Sequence, residues 1–206
     1  MLLFCPISPT EFKFFKARFS LPKRAFSLGG ENLKENTCCF TGHRSIPSDD
    51  LSRLSDELDR RIELLYNEGI TDFCAGGALG FDTLAAERVL EFRKKHGDVR
   101  LILFLPCPEQ ASRWSFQNQR IYEQILASAD EVEYACDRYT DFCMGKRNQM
   151  LVNASTVCLA YLQKPRGGTA YTVRYAKSRG VRVINLAESS KEPHQNPTFE
   201  NLKFDI

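Results

Sequence analysis

Three observations predict that residues 37–187 form a doubly wound α/β domain, a mainly parallel sheet with helices on both faces. Short, nearly continuous apolar runs alternate with longer stretches whose apolar residues recur every three or four positions. Runs without a polar alternation suit strands buried on both faces, which is the situation of parallel strands covered by helices. Two of the runs stop at paired glycines, Gly76-Gly77 and Gly167-Gly168, and the chain restarts each time as a helix.

In chain order, Thr37 to Thr41 reads as the first buried strand and ends at Gly42-His43-Arg44. Ser48 is placed as the N-cap of the next helix, with Asp49 and Asp50 favouring the positive end of its dipole. Leu51, Leu54, Leu58, Ile62 and Leu65 then mark one apolar face until Gly69 closes the helix. The run Ile70 to Cys74 is the second strand, followed by a helix carrying Leu84, Ala85, Val89 and Leu90. Val99 to Leu105 is a third strand, ended by Pro106-Cys107-Pro108. A polar helix from Gln110 to Ala127 precedes a short strand near Glu131 to Tyr134, and Asp141 to Ala154 reads as a helix. Thr156 to Tyr161 is a strand, Thr169 to Arg179 a helix, and Val181 to Leu186 the last strand. No internal repeat is visible.

The flanks differ in character. Residues 1–36 are a basic leader rich in phenylalanine, expected to be disordered or peripheral; its charges follow the apolar stretch, whereas a secretory signal has them first. Residues 188–206 are polar, contain Pro193 and Pro197, and are expected to form a loose tail. The formal net charge of the 206 residues is only +2, so nothing global asks for a nucleic-acid duplex or an anionic membrane as partner, while a local basic pocket stays open. No apolar run reaches the roughly 20 residues that cross a bilayer. The eight cysteines include no Cys-x-x-Cys pair and no histidine at ligand spacing, so no metal site is expected. They read as reduced thiols of a cytoplasmic protein, with Cys38, Cys39, Cys74 and Cys158 inside strands as small apolar residues.

In an open parallel sheet, ligands bind outside the carboxyl ends of the strands. The loops expected there carry Thr41-Gly42-His43-Arg44, Ala75-Gly76-Gly77, Pro106-Cys107-Pro108-Glu109 and Arg166-Gly167-Gly168-Thr169. Glycine lets a ligand approach the backbone, and the first amides of a helix have no intrahelical partner, so both glycine corners suit a phosphate. Arg44 offers a planar fork of donors to phosphate oxygens. Asp82 either favours its helix dipole or hydrogen-bonds a ribose hydroxyl. Arg147 and Asn148 either reach the same edge or are surface residues, Trp114 either stacks on a base or packs, and His43 reads as solvated or supporting. Neither corner is a Gly-x-Gly-x-x-Gly fingerprint or a phosphate loop ending in Gly-Lys-Ser/Thr, so dehydrogenase and ATPase readings are declined.

Five marks in order give the chain a resemblance to a known family: Thr41-Gly42-His43-Arg44; Gly76-Gly77-Ala78-Leu79-Gly80-Phe81-Asp82; Leu105-Pro106-Cys107-Pro108 with Arg113-Trp114; Lys146-Arg147-Asn148; and Lys164-Pro165-Arg166-Gly167-Gly168-Thr169. From Thr37 to Ala187 the sequence resembles the SLOG superfamily of Rossmann-like domains, in its bacterial YpsA-like branch. The resemblance implies binding of a nucleotide or a nucleotide-derived, ADP-ribose-like ligand, with no reaction firmly assigned to the branch. It places Thr41, Gly42, Arg44, Gly76, Gly77, Gly80, Asp82, Arg147, Asn148, Gly167, Gly168 and Thr169 at the ligand. Superfamily members that release free base from nucleoside monophosphates follow their Gly-Gly-x-Gly-Thr motif with a glutamate, whereas here Gly167-Gly168-Thr169 runs on into Ala170-Tyr171-Thr172-Val173-Arg174.

The expectation is therefore a nucleotide-derivative binding module, one form of which is a sensor. The alternative is an N-glycosidic hydrolase with Asp82 or Glu109 as its carboxylate; a second alternative is an interaction module with a vestigial pocket. A small nucleotide-derived molecule is the expected partner, with no nucleic acid, no membrane span and no cofactor, and a homo-oligomer is compatible with this reading.

Overall fold

The computed structural model describes residues 35–187, so the expectations for the tail and for almost all of the leader fall outside the described residues. Strands β1 (Thr37–Gly42), β2 (Asp72–Ala75), β3 (Arg100–Leu105), β4 (Glu131–Tyr134), β5 (Val157–Tyr161) and β6 (Arg182–Asn185) form one sheet in the order β4-β3-β2-β1-β5-β6. Every neighbouring pair is parallel. Between them run α1 (Ser48–Asn67), α2 (Phe81–Arg93), α3 (Phe116–Ser128), α4 (Cys143–Asn153) and α5 (Gly168–Ser178). This is the predicted doubly wound α/β fold.

Alternation along each strand sorts the side chains into two cores. Cys38, Phe40, Phe73, Leu101, Leu103, Leu159 and Tyr161 pack with buried residues of α1, α2 and α3. Cys39, Cys74, Ile102, Phe104 and Cys158 pack with Leu151 and Val152 of α4 and Ala176 of α5. Leu54, Leu58, Ile62 and Leu65 of α1 are buried, each such side chain contributing about 1.5–3 kcal/mol by leaving water. The strand cysteines are free and buried, and desolvation holds the Cys38 and Cys74 thiols well above their ordinary range.

The chain path places the site. From β1 to β4 the strands step in one direction with α1–α3 on one face; α4 then carries the chain back across the other face to β5, beside β1. Right-handed crossovers make that change of face follow from the change of direction. The loops after β1 and β5 consequently leave neighbouring strands toward opposite faces and open a crevice between them.

Two helix starts are capped differently from the sequence expectation. Pro47, not Ser48, is the N-cap of α1; its carbonyl accepts the Asp50 amide at 3.0 Å, while the Ser48 hydroxyl donates to Asp49 Oδ1 at 3.2 Å. The segment read as a helix from Gln110 is a series of turns up to Arg113, and α3 starts only at Phe116. There the Ser115 hydroxyl accepts the Asn118 amide at 3.4 Å, and Trp114 is held edge-on against Tyr122.

Candidate ligand-binding site at the strand-order switch

A cavity of about 340 Å³ occupies the crevice. The end of β1 contributes Thr41 and Gly42 to its lining, the loop after it His43 and Arg44, the start of α2 Asp82, and the start of α5 Gly168 and Thr169. Helix α4 contributes Met144, Arg147, Asn148 and Leu151. Their spacing of three, four and seven places them on one helical face, which is why one helix supplies a whole wall.

The floor is a buried ion pair. Arg147 Nη1 donates to Asp82 Oδ2 at 3.2 Å, with the two side chains only 8% and 7% exposed. The same oxygen accepts the Ala78 amide at 3.3 Å, and Arg147 Nη2 lies 3.9 Å from Met144 Sδ. Burial raises the Asp82 carboxyl above its ordinary range, although the Arg147 charge and the Ala78 amide pull it down. Among the described residues, Arg147 Nε is buried with no hydrogen-bond partner.

The two glycine corners, alike in sequence, differ in space. Gly76 and Gly77 are buried and do not line the cavity. A Cβ on Gly76 would lie 1.3 Å from Arg147 Nη1, so the guanidinium occupies the place where the sequence suggested a phosphate. Gly77 has a φ of +62°, its carbonyl accepts Gln110 Nε2 at 2.5 Å, and a Cβ there would meet Leu105 Cδ2 at 2.6 Å. Gly80 is likewise taken up by packing, since a Cβ would lie 2.3 Å from the Arg44 carbonyl oxygen. Gly42 faces the cavity on one side and the Phe81 ring on the other.

The second corner is open. Gly167 caps α5 with a φ of +92°, no side chain caps that helix end, and no described atom lies within 4 Å of a Cβ built on Gly167 or Gly168. The first amides of α5 have no intrahelical partner and lie at the positive end of the helix, where the two glycines carry no side chains. Thr169 does not point a free hydroxyl at a ligand, because its Oγ1 donates to the Gly42 carbonyl at 2.9 Å and ties α5 to the end of β1. Exposed Arg44 adds a cation at the mouth, and Lys164 and Arg166 lie on the exposed loop before α5.

Of the other candidates, Asn148 lines the cavity, whereas Glu109 is exposed on the turn after β3 and does not. Trp114 packs against the core. His43, which the sequence left as solvated or supporting, accepts the backbone amides of Gln163 at 3.0 Å and Lys164 at 3.3 Å through Nε2. Met144 and Leu151 were not singled out from the sequence; their signal was the helical spacing they share with Arg147 and Asn148. Among the described residues no group of three or more His, Cys, Asp or Glu side chains is placed to hold a metal ion, and no helix is long and apolar enough to cross a membrane.

A parallel sheet with a cationic, glycine-walled crevice at its strand-order switch defines a Rossmann-like domain. Residues 39–183 match the YspA SLOG family, YpsA, and the chain belongs to it. It is 32% identical over 126 residues to a UPF0398 protein of Bacillus cereus strain G9842, covering 60% of this chain and 68% of that protein. The same values hold for a UPF0398 protein of Bacillus thuringiensis strain Al Hakam. Among solved structures, DNA processing protein A from Streptococcus pneumoniae superposes with a TM-score of 0.55 at 18% identity, covering 73% of this chain and 50% of that one. This chain thus spans about half the length of that protein. DNA processing protein A from Helicobacter pylori, described for its single-stranded DNA binding mode, gives 0.54 at 17% identity, covering 75% and 67%.

These likenesses correct the partner expectation. With a net charge of only +2 no nucleic-acid partner was expected, yet a protein that shares this fold binds single-stranded DNA. Net charge is a sum over the whole surface, whereas a phosphate meets only local cations. Arg44, Lys164 and Arg166 all fall on the two loops that bound the crevice.

Proposed function

We propose that this protein binds a nucleotide or nucleotide-derived, ADP-ribose-like ligand in the crevice, with its phosphates against the Gly167-Gly168 corner. The observation that carries the reading is convergence on one cavity. Helix-end amides without an intrahelical partner, the exposed charge of Arg44 and the fixed charge of Arg147 meet at the strand-order switch. Phosphate oxygens accept from all three donor types. A cavity of about 340 Å³ lies at the lower end of the range for small-molecule sites, suited to a phosphate-bearing part of the ligand. The buried free thiols fit a reducing, cytoplasmic setting.

Binding without chemistry is favoured over N-glycosidic cleavage. Glu109 does not line the cavity, and Asp82 already receives hydrogen bonds from Arg147 and Ala78, so neither stands as a free base. A second reading, in which the same corner takes a phosphate of single-stranded nucleic acid, is favoured by the likeness to the Helicobacter pylori protein.

The test is a thermal-shift panel followed by calorimetry with ADP-ribose, AMP and a short single-stranded oligonucleotide. A ligand at about a hundred times its Kd stabilises the native state by about 2.7 kcal/mol, or a rise of roughly 5–10 °C in Tm for a chain of this size. ADP-ribose should shift the Tm without release of free base. A shift with the oligonucleotide alone would select the second reading, base release that disappears in Asp82→Asn would select the hydrolase, and a flat Tm throughout would refute binding at this site.

A further inference from the structure

We propose that His43 is a positioning residue for the phosphate side of the cavity: its neutral imidazole holds the loop that carries Gly167 and Gly168, and its protonation releases that loop. The proposal rests on the crevice being the ligand site. His43 directly follows β1 and lines the cavity, and its own carbonyl accepts the Phe81 amide at 3.1 Å, which seats it on the start of α2. Nε2 accepts the amides of both Gln163 and Lys164, so this nitrogen carries a lone pair and the proton sits on Nδ1.

The surroundings make this contact decisive for the loop. On the β5 side the loop is anchored at Leu162, whose amide donates to Asn185 Oδ1 at 2.9 Å. On the α5 side it is anchored by Thr169 on Gly42. Between these anchors lie the two open glycines, and the backbone there is held to β1 by His43. The side chain of Gln163 adds one bond, donating from Nε2 to Asp50 Oδ2 at 3.1 Å. Adding a proton to Nε2 would aim an N–H at two other N–H groups, so the clip fails as soon as the ring is charged.

The groups around the ring act on its charge in both directions. Lys164 on the loop and Arg44 on its own strand end are cationic, and Arg147 and Asp82 stand paired at the cavity floor. From α1, Asp50 is engaged by the Tyr161 hydroxyl at 2.7 Å and by Arg53 at 3.5 Å, and the Tyr161 ring lies edge-on to His43. Burial, and then Lys164, hold the imidazole below its ordinary value, so the ring is neutral at pH 7. The resulting signature is opposite to simple charge attraction. A histidine beside a phosphate site would strengthen anion binding when protonated; a clip weakens it.

The experiment has two arms. In ligand-free protein, an NMR titration follows the His43 ring and the amides of Gln163 and Lys164; all three should move with one midpoint below the ordinary histidine value. By calorimetry, ADP-ribose should bind progressively more weakly as pH falls from 7.5 through the His43 midpoint, approaching about tenfold once the pH is well below that midpoint, the effect of losing one or two hydrogen bonds. Its pyrophosphate, unlike a phosphate monoester, has no group that titrates in that range. His43→Gln, whose amide oxygen accepts without titrating, should rescue binding at the lower pH, and His43→Ala should lose it at both. Amides that ignore the His43 titration, or binding that is unchanged or tighter in acid, would overturn the clip. Amides that follow His43 while ADP-ribose binds at neither pH would uphold the clip and overturn the ADP-ribose reading. The NMR arm uses the unaltered protein, so it decides the matter even if a variant does not fold.

Discussion

Gly76→Ala perturbs the floor of the crevice by the addition of one methyl group. The new Cβ would lie 1.3 Å from Arg147 Nη1, 2.5 Å from Cζ and 2.7 Å from Asp82 Oδ2, so the guanidinium must leave its place. Gly76 is not among the positive-φ glycines, and the cost is therefore one of contact and not of backbone strain. The lower bound is the loss of one charge-assisted hydrogen bond, about 1.5 kcal/mol, and the upper bound is a broken buried ion pair, about 5 kcal/mol. Two features pull the result below the upper bound: the adjoining cavity lets the displaced cation reach water, and Asp82, already pushed up by burial, can take a proton. The expected loss is about 2–4 kcal/mol, or roughly 5–15 °C in Tm. Urea unfolding followed by circular dichroism measures it, and a double-mutant cycle with Arg147→Ala assigns it. Once the guanidinium is gone only the Asp82 carboxylate, 2.7 Å from the added Cβ, must still shift, so Gly76→Ala should cost clearly less in that background than in the parent. Parental stability for the single variant, or an equal loss in both backgrounds, would show that Arg147 does not occupy this corner.

The remaining predictions concern neighbouring parts of the site. Gly168→Ala, where a Cβ meets no described atom within 4 Å, should leave stability within about 0.5 kcal/mol of the parent while weakening ADP-ribose in calorimetry. Gly77→Val should instead impair folding, because its φ of +62° disfavours a β-branched residue and Leu105 blocks the added carbons; a parental urea midpoint would contradict this. Arg44→Ala should cost about 1.5–3 kcal/mol of ADP-ribose binding with little change in Tm, since the residue is exposed, and Arg44→Lys should recover only part. For pH, the depressed value of His43 means that its contribution to stability is complete above the unfolded value of 6.5 and is lost as pH falls from there toward the lower native value. His43→Gln should remove that portion of the slope in unfolding free energy against pH; an unchanged slope would place the titration elsewhere.

Strand and helix identity was legible because it depends on local pattern. Leu54, Leu58, Ile62 and Leu65 recur at helical steps, and Thr37 to Thr41 is apolar enough to be covered on both sides, whatever packs there. The exceptions were local competitions: Pro47 displaced Ser48 as the cap of α1, and the Ser115 cap with Trp114 packing shortened α3. The choice of sheet edge was legible for the same reason, since every parallel strand delivers its loop to one side.

What the sequence determined by itself was therefore the doubly wound sheet, the edge at which the cavity lies, and a cast in which Thr41, Arg44, Asp82, Arg147, Asn148 and Gly168 all line one cavity. What only the tertiary structure decided was the use made of two like glycine pairs. Gly76 and Gly167-Gly168 both end a strand and precede a helix, but α4 returns across the sheet and places the Arg147 guanidinium where a Cβ of Gly76 would be. Arg147 lies 71 positions further along the chain, so no local pattern around Gly76 reports it. The same holds for His43, whose partners Gln163 and Lys164 lie on the loop after β5, a strand that is adjacent only because the strand order reverses. Local chemistry specifies which groups are available; the long-range path of the chain decides which of them are already satisfied by the protein and which remain open to a ligand.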